Sequence, residues 1–372
     1  MKDIKYLDIV QREIDKADAD FIPKITTDRG RVAFVDTKDI PWDRVQRFLE
    51  PSAHHEMWTN RGPAWHAASA AFARHMGLPA DRTVLPVANG GMALEALASL
   101  HASRRGHPLR WAVSAFGFPN TTRGAFTDSL VVDCTKDGLL DVESINPDSV
   151  DGIVVTNPFG IRDRFEQVVS WAADHDKVLL LDNAAGIGPT IPEIDYQSFS
   201  LHQTKPYGMG EGGLVLVPSA EAEAVLRLLE YTPLSDTEAR FWVNNGKISD
   251  FAIALHLARL ESAPNWRAAF KRQAERLCEA AVSEGFTPFF TGTPVATSLP
   301  FLASDPLPFS ALKGSELTLG KYYKPLAPKT RTMEIFAHIV NVPSHPDVAS
   351  LDNQSLRQVF RHVKQGQICN KS

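Results

Sequence analysis

The chain has 372 residues, 44% of them hydrophobic and 22% charged, with 39 Lys and Arg set against 44 Asp and Glu. These are the fractions of a globular protein, and a formal charge of −5 argues against a nucleic-acid module or a polybasic membrane binder. Three dispersed cysteines, Cys134, Cys278 and Cys369, make neither a disulfide framework nor a zinc site and read as ordinary thiols of a reducing compartment.

The opening Met1-Lys2-Asp3-Ile4-Lys5 mixes charges and leads into no segment of signal-peptide type. No stretch approaches the roughly 20 apolar residues that span a bilayer. A cytoplasmic protein is expected, without membrane or nucleic-acid partners. At roughly 150 residues per domain, the length allows two or three domains, or one large core with an appendage.

Between about 64 and 217 helix-like and strand-like segments alternate, which is the pattern of an α/β core. A helix over 64–76 precedes a strand at 84–87, the turn Asn89-Gly90-Gly91 and a helix over 92–102. Further strands are expected at 111–115, 130–132, 153–155, 178–181 and 214–217, with Phe165, Val168, Val169 and Ala172 on one helical face. Apolar strands without alternation imply burial on both sides, hence a largely parallel sheet. After Pro218 the segments 219–232 and 248–285 are mostly helical, the latter carrying the stripe Trp266, Phe270, Ala274, Leu277, Cys278 and Ala281. From Phe286 short β-like runs alternate with prolines, and a last helix covers 353–363. The expected division is 1–245 for an N-terminal arm with the large α/β domain, and 246–372 for linking helices with a smaller C-terminal α+β domain.

Three features carry chemistry. Gly90 and Gly91 stand at a strand-to-helix junction, where free N–H groups attract an anion such as phosphate, although a tight turn has the same signature. Asp182 closes the run Leu179-Leu180-Leu181, at a strand carboxyl end where α/β sheets bind ligands. Lys205 ends a polar stretch beside the glycines 208–213. Those glycines precede a strand, the wrong order for a dinucleotide fingerprint. Ser200, His202 and Asp182 lack the Gly-x-Ser-x-Gly elbow of a hydrolase triad.

Phe199-Ser200-Leu201-His202-Gln203-Thr204-Lys205 followed by Gly210-Glu211-Gly212-Gly213 resembles a segment of the DegT-type (DegT/DnrJ/StrS) sugar aminotransferases, which are fold-type I pyridoxal-phosphate enzymes. The resemblance extends in order through 58–63, Asn89-Gly90-Gly91-Met92-Ala93-Leu94, Phe116-Gly117-Phe118, 181–185, Asn245-Gly246-Lys247-Ile248, Tyr323-Lys324-Pro325-Leu326 and 340–346. It implies the cofactor pyridoxal 5'-phosphate, held by Lys205 as an imine, with Lys205 then moving the proton between substrate and cofactor carbons. Asp182 is implied as the partner of the pyridine nitrogen, Phe118 as the stacking ring, and Gly90, Gly91 and Ser200 as the phosphate site. Asn245 and Lys247 match residues that the family contributes from the neighbouring subunit, which implies a homodimer with shared active sites.

The sequence also departs from the family. Gly91 stands where Thr is usual and Lys247 where Arg is usual; Ala185 replaces a Gln or Glu that meets the ring hydroxyl, and Ala327 replaces a frequent His. The turn Asn157-Pro158-Phe159-Gly160 resembles the segment by which other fold-type I aminotransferases bind that hydroxyl, so Asn157 is expected to replace the lost contact. Trp58, Thr59, Arg61 and Tyr323 are expected at the substrate site or its mouth. The implied reaction moves an amino group from glutamate or glutamine to a keto group of a nucleotide-linked deoxysugar. Alternatives are an elimination on a sugar or cyclitol, or a non-catalytic regulator that binds a sugar nucleotide. Family dehydrases carry His in place of the lysine, so Lys205 favours transamination.

Overall fold

The computed structural model describes residues 31–368, so the chain's opening and Cys369 lie outside the described residues. Helices α1 (Trp42–His54) and α2 (Pro63–His75) lead into β1 (Arg82–Val87), α3 (Gly90–Arg105), β2 (Trp111–Ser114), β3 (Leu130–Val132) and β4 (Gly152–Thr156). Then come α4 (Glu166–Asp174), β5 (Val178–Asp182), β6 (Gln197–Ser200) and β7 (Gly213–Pro218). The strands form one seven-stranded sheet in the order β1-β7-β6-β5-β4-β2-β3. β3, β2, β4, β5 and β6 run parallel to one another; β7 is antiparallel to both β6 and β1. Every residue of β2 and β4 is buried, which is why these strands read as apolar runs and not as alternations.

β6 was not anticipated from the sequence. Gln197-Ser198-Phe199-Ser200 has no apolar run, yet it lies inside the sheet with Gln197 and Ser198 fully buried. The Gln197 amide is met locally: Nε2 donates to Pro192 O (2.7 Å) and Ile194 O (2.9 Å), while its Oε1 accepts from Asn183 Nδ2 (3.0 Å).

Register brings the chemistry to one edge. Asp182 pairs with Thr156 of β4 and with Ser198 of β6, while Ser200 and Val87 both pair with Gly213. The carboxyl ends of β4, β5 and β6 therefore meet the start of α3. Gly213 is required by this approach, since a Cβ there would lie 2.3 Å from Asn89 C and 2.6 Å from Gly90 N, both backbone atoms. Gly213→Ala is expected to cost about 1–3 kcal/mol or more by overpacking, seen as a lower urea midpoint. An unchanged midpoint would contradict this packing.

The chain continues through α5 (Ala222–Arg227), α6 (Asp236–Arg240), α7 (Asp250–Glu261) and α8 (Ala263–Ser283). β8 (Thr287–Pro288), β9 (Ser298–Leu302), α9 (Thr330–His338), β10 (Ile339–Pro343) and α10 (Asn353–Ile368) complete a smaller unit with a three-stranded antiparallel sheet, order β10-β9-β8. The two apolar cores change over inside α8. Trp266 and Phe270 belong with the large sheet, whereas Ala274 and Leu277 pack with Leu299, Phe301 and Phe360. α7 is tied to the large core as well: buried Asp250 accepts from Ser52 Oγ (2.6 Å) and Ala64 N (3.0 Å). The expected division at 245/246 thus falls before this changeover.

Candidate active site

Two adjoining cavities open at the carboxyl ends of the strands. One, of about 420 Å³, is lined by Gly90, Gly91, Phe118, Asn157, Asp182, Ser200 and Lys205, together with Asn120 and Tyr323. The other, of about 470 Å³, shares Phe118, Thr204, Lys205 and Tyr323 with the first and adds Phe34, Val35, Ala185, Thr297, Ser298 and Tyr322. Phe118 is 57% exposed despite its size, a ring left bare between the two cavities. Such a face can stack on a planar ligand.

Asp182 and Lys205 are the charged pair of the first cavity. Burial pushes the Asp182 carboxyl up to about 6, opposed by the Lys205 ammonium. Burial likewise lowers the Lys205 amine, opposed by the Asp182 charge. Both shifts have the same cause, desolvation only partly offset by the partner. An amine that burial makes easier to deprotonate, beside a buried carboxyl, is suited to nucleophilic and proton-transfer chemistry.

The third feature is the start of α3. Asn89 caps it, its Oδ1 accepting from Met92 N (2.9 Å) and its carbonyl from Ala93 N (3.1 Å). The N–H groups of Gly90 and Gly91 in the first turn are left for a ligand. Ser200 is held against this turn: a Cβ on Gly90 would lie 3.0 Å from Ser200 Cβ. A Cβ on Gly91 would come within 3.2 Å of Asn120 Oδ1, so an amide borders the space where the family carries a threonine. Asn120 was missed in the sequence, where nothing marks it among the residues that follow Phe118.

Asn157 lines the cavity, but its amide is engaged elsewhere. Nδ2 donates to Asn183 Oδ1 (2.9 Å) and Arg162 O (3.1 Å), and Oδ1 accepts from Arg162 N (2.9 Å). Both N–H groups are thereby committed to holding the loops after β4 and β5. Phe159 sits in the left-handed region at φ 60°, and its N–H donates to the Tyr323 hydroxyl (3.2 Å). Tyr323 is half-buried against Phe116 and Phe159, and desolvation of its hydroxyl pushes the phenol up, so it stays a neutral donor.

The other expected residues lie apart from these cavities. Trp58 stacks on Phe251 at 4.8 Å between ring centroids, and Arg61 pairs with Glu223 (2.9 Å) and Glu230 (3.3 Å). Lys247 Nζ donates to Asn60 Oδ1 (2.6 Å) and borders a cleft with Arg61; Asn245 is exposed. Thr59 is exposed between Trp58 and Asn60. None of the five lines the cavities of Lys205 in its own chain.

This fold, a mostly parallel seven-stranded sheet with a smaller C-terminal unit and a buried lysine and aspartate at the strand ends, is that of the fold-type I pyridoxal-phosphate aminotransferases. Residues 43–283 match the model of the DegT/DnrJ/EryC1/StrS aminotransferase family, and the chain belongs to that family. Protein Rv3402c of Mycobacterium tuberculosis (strain ATCC 25618 / H37Rv) is 29% identical over 126 residues, a stretch that covers 30% of each chain. Among solved structures, Helicobacter pylori PseC, an aminotransferase involved in the biosynthesis of pseudoaminic acid, superposes with a TM-score of 0.71 at 16% identity, over 89% of this chain and 97% of its own. DesI, crystallised in the presence of its TDP-sugar product, superposes with a TM-score of 0.70 at 17% identity, over 90% of this chain and 93% of its own.

The first cavity fits pyridoxal 5'-phosphate. It offers an amine, a buried carboxylate, a bare aromatic face and a glycine cradle at a helix start that a Cβ would crowd. Among the described residues there is no group of His, Cys, Asp and Glu that could hold a metal, and no helix is long and apolar enough to cross a membrane.

Proposed function

We propose that this protein is a pyridoxal-phosphate-dependent aminotransferase that moves an amino group from glutamate or glutamine to a keto group of a nucleotide-linked sugar. The observation that carries this reading is the pairing of Lys205 with Asp182 in one cavity whose far wall is the start of α3. Bound there, the cofactor supplies an acceptor for the electron pair released at the substrate carbon. Gly90, Gly91 and Ser200 hold its phosphate, and Phe118 keeps its ring flat. Asp182 holds a proton on the ring nitrogen, and the desolvation that raises its own basicity strengthens that bond. Lys205 Nζ would take the proton from the carbon that bears the transferred amine and return it to the carbon on the far side of that nitrogen. With both Asn157 N–H groups committed, the neutral Tyr323 hydroxyl is the better-placed donor to the ring oxygen that Ala185 no longer meets, and Asn157 acts by fixing the loop.

The second cavity takes the sugar, its aromatic walls interrupted by Thr297, Ser298 and Thr318 hydroxyls. The family match supports a sugar, and DesI's TDP-sugar product supports a nucleotide-linked one. A homodimer is supported by the exposed Tyr231, Phe251 and Met57, which are 72%, 53% and 41% accessible. Tyr231 borders the loop of Asn245 and Lys247, its ring 5.9 Å from Lys247 Nζ. We place the enzyme in the cytoplasm, where nucleotide sugars are made.

The test is a half-reaction. Cofactor-loaded protein mixed with glutamate or glutamine is expected to release the matching 2-oxo acid in amounts equal to the active sites, and a keto sugar nucleotide is expected to restore the starting spectrum. No 2-oxo acid from any amino donor would reject transamination in favour of elimination.

A further inference from the structure

The loop that carries Lys205 is held by side chains from three remote segments. Lys38 Nζ donates to Gln203 O and to Lys205 O (the latter 2.8 Å). Thr297 Oγ1 donates to Thr204 O (2.6 Å), and Arg259 Nε donates to Pro206 O (3.0 Å). Four successive carbonyls, 203 to 206, thus each accept a bond from a side chain more than 50 residues away in sequence. Asp36 stands behind the two cations, with Oδ1 3.2 Å from Lys38 Nζ and Oδ2 3.4 Å from Arg259 Nη2. The side chains of Lys38 and Asp36 are only 3% and 1% exposed, and that of Arg259 is 10%. The segment bearing Lys38 is itself fixed to the smaller unit: Thr37 N donates to Asp347 Oδ2 (2.8 Å), and Ala33 O accepts from His345 Nε2 (2.9 Å).

Burying two cations and an anion is costly, and an apolar trio would hold a loop at least as firmly. What the charged cluster adds is direction, since charge-assisted N–H bonds to carbonyls fix the path of the backbone. We propose that Lys38, supported by Asp36 and Arg259, is the positioning residue of Lys205, setting where its amine stands relative to the bound cofactor and substrate. This rests on the reading of Lys205 given above. The same segment places Phe34 and Val35 on the wall of the second cavity, so one stretch of chain shapes the substrate wall and aims the lysine.

The test uses Lys38→Met, Lys38→Arg and Thr297→Val in the cofactor-loaded enzyme. Lys38→Met is expected to keep a full complement of cofactor, to lose roughly 10- to 100-fold in kcat with KM for the amino donor changed less than about threefold, and to move the pH midpoint of the visible absorption band. Lys38→Arg, which retains a donor, should recover most of the loss. Amide exchange in peptides covering 201–208, followed with and without cofactor, should quicken about tenfold in Lys38→Met while peptides of β5 stay protected. Faster exchange with kcat and midpoint unchanged would overturn the proposal and leave a structural tie only. Should Lys38→Met fail to fold, Thr297→Val removes one bond and no charge; because Thr297 also lines the sugar cavity, the readout is the amino-donor half-reaction without sugar, where a several-fold drop in rate supports the clamp and a wild-type rate overturns it. Wild-type protein that takes up no cofactor would instead defeat the reading of the function, while the exchange data would still decide whether Lys38 holds the loop.

Discussion

Lys205→Ala is expected to lose at least about 10³-fold in turnover, with the visible absorption of the bound cofactor lost as well. The size follows from the two tasks placed on one amine. Proton transfer by a positioned base contributes about 10²–10⁴-fold, and the same Nζ is the nucleophile that retains the cofactor. Among the described residues no second lysine lines either cavity, so none of them is placed to take over. Measuring single-turnover release of the 2-oxo acid separates chemistry from binding. A variant that kept more than a tenth of wild-type turnover would assign the proton transfer to another group.

Asp182→Asn is expected to lose about 10²–10³-fold in turnover, the range for removing one fixed electrostatic partner of the reaction, while stabilising the cofactor-free fold at neutral pH. The carboxyl stands near 6 in the folded chain, above its ordinary value of 3.8, because it is desolvated. Raised in this direction, its contribution to stability is fully present below about 3.8 and is lost as pH climbs through about 6. Above that, the buried charge works against folding. At about 1.4 kcal/mol per pH unit, its neutralisation returns up to about 3 kcal/mol, a net figure in which the attraction to Lys205 is already counted. Melting curves of the cofactor-free proteins at pH 8 should put Asp182→Asn at or above wild type, with the difference vanishing near pH 4. A lower melting point at pH 8 would mean that the Lys205 attraction outweighs desolvation.

The strands expected at 84–87, 153–155, 178–181 and 214–217 were legible because burial on both faces writes a continuous apolar run. So were Gly90, Asp182 and Lys205, since a helix start, a strand end and a lysine among glycines are local patterns. β6 was not, because it has no apolar run, and the bonds that let Gln197 be buried, to the Pro192 and Ile194 carbonyls and the Asn183 amide, leave no periodic pattern in the sequence. The commitment of the Asn157 amide was equally hidden, depending on Asn183, 26 residues away. Lys38 is the extreme case, an ordinary charged residue in sequence whose partners are 165 and 167 positions distant. Local chemistry announces itself, whereas a group that acts by holding another is defined only by contacts that the completed fold creates.

Borohydride reduction of the protein mixed with pyridoxal 5'-phosphate, followed by peptide mapping, tests the central assignment most directly. The cofactor is predicted on the peptide that contains Lys205, at one per chain, and absent from Lys205→Ala. A protein left unlabelled, or labelled at another lysine, would contradict it.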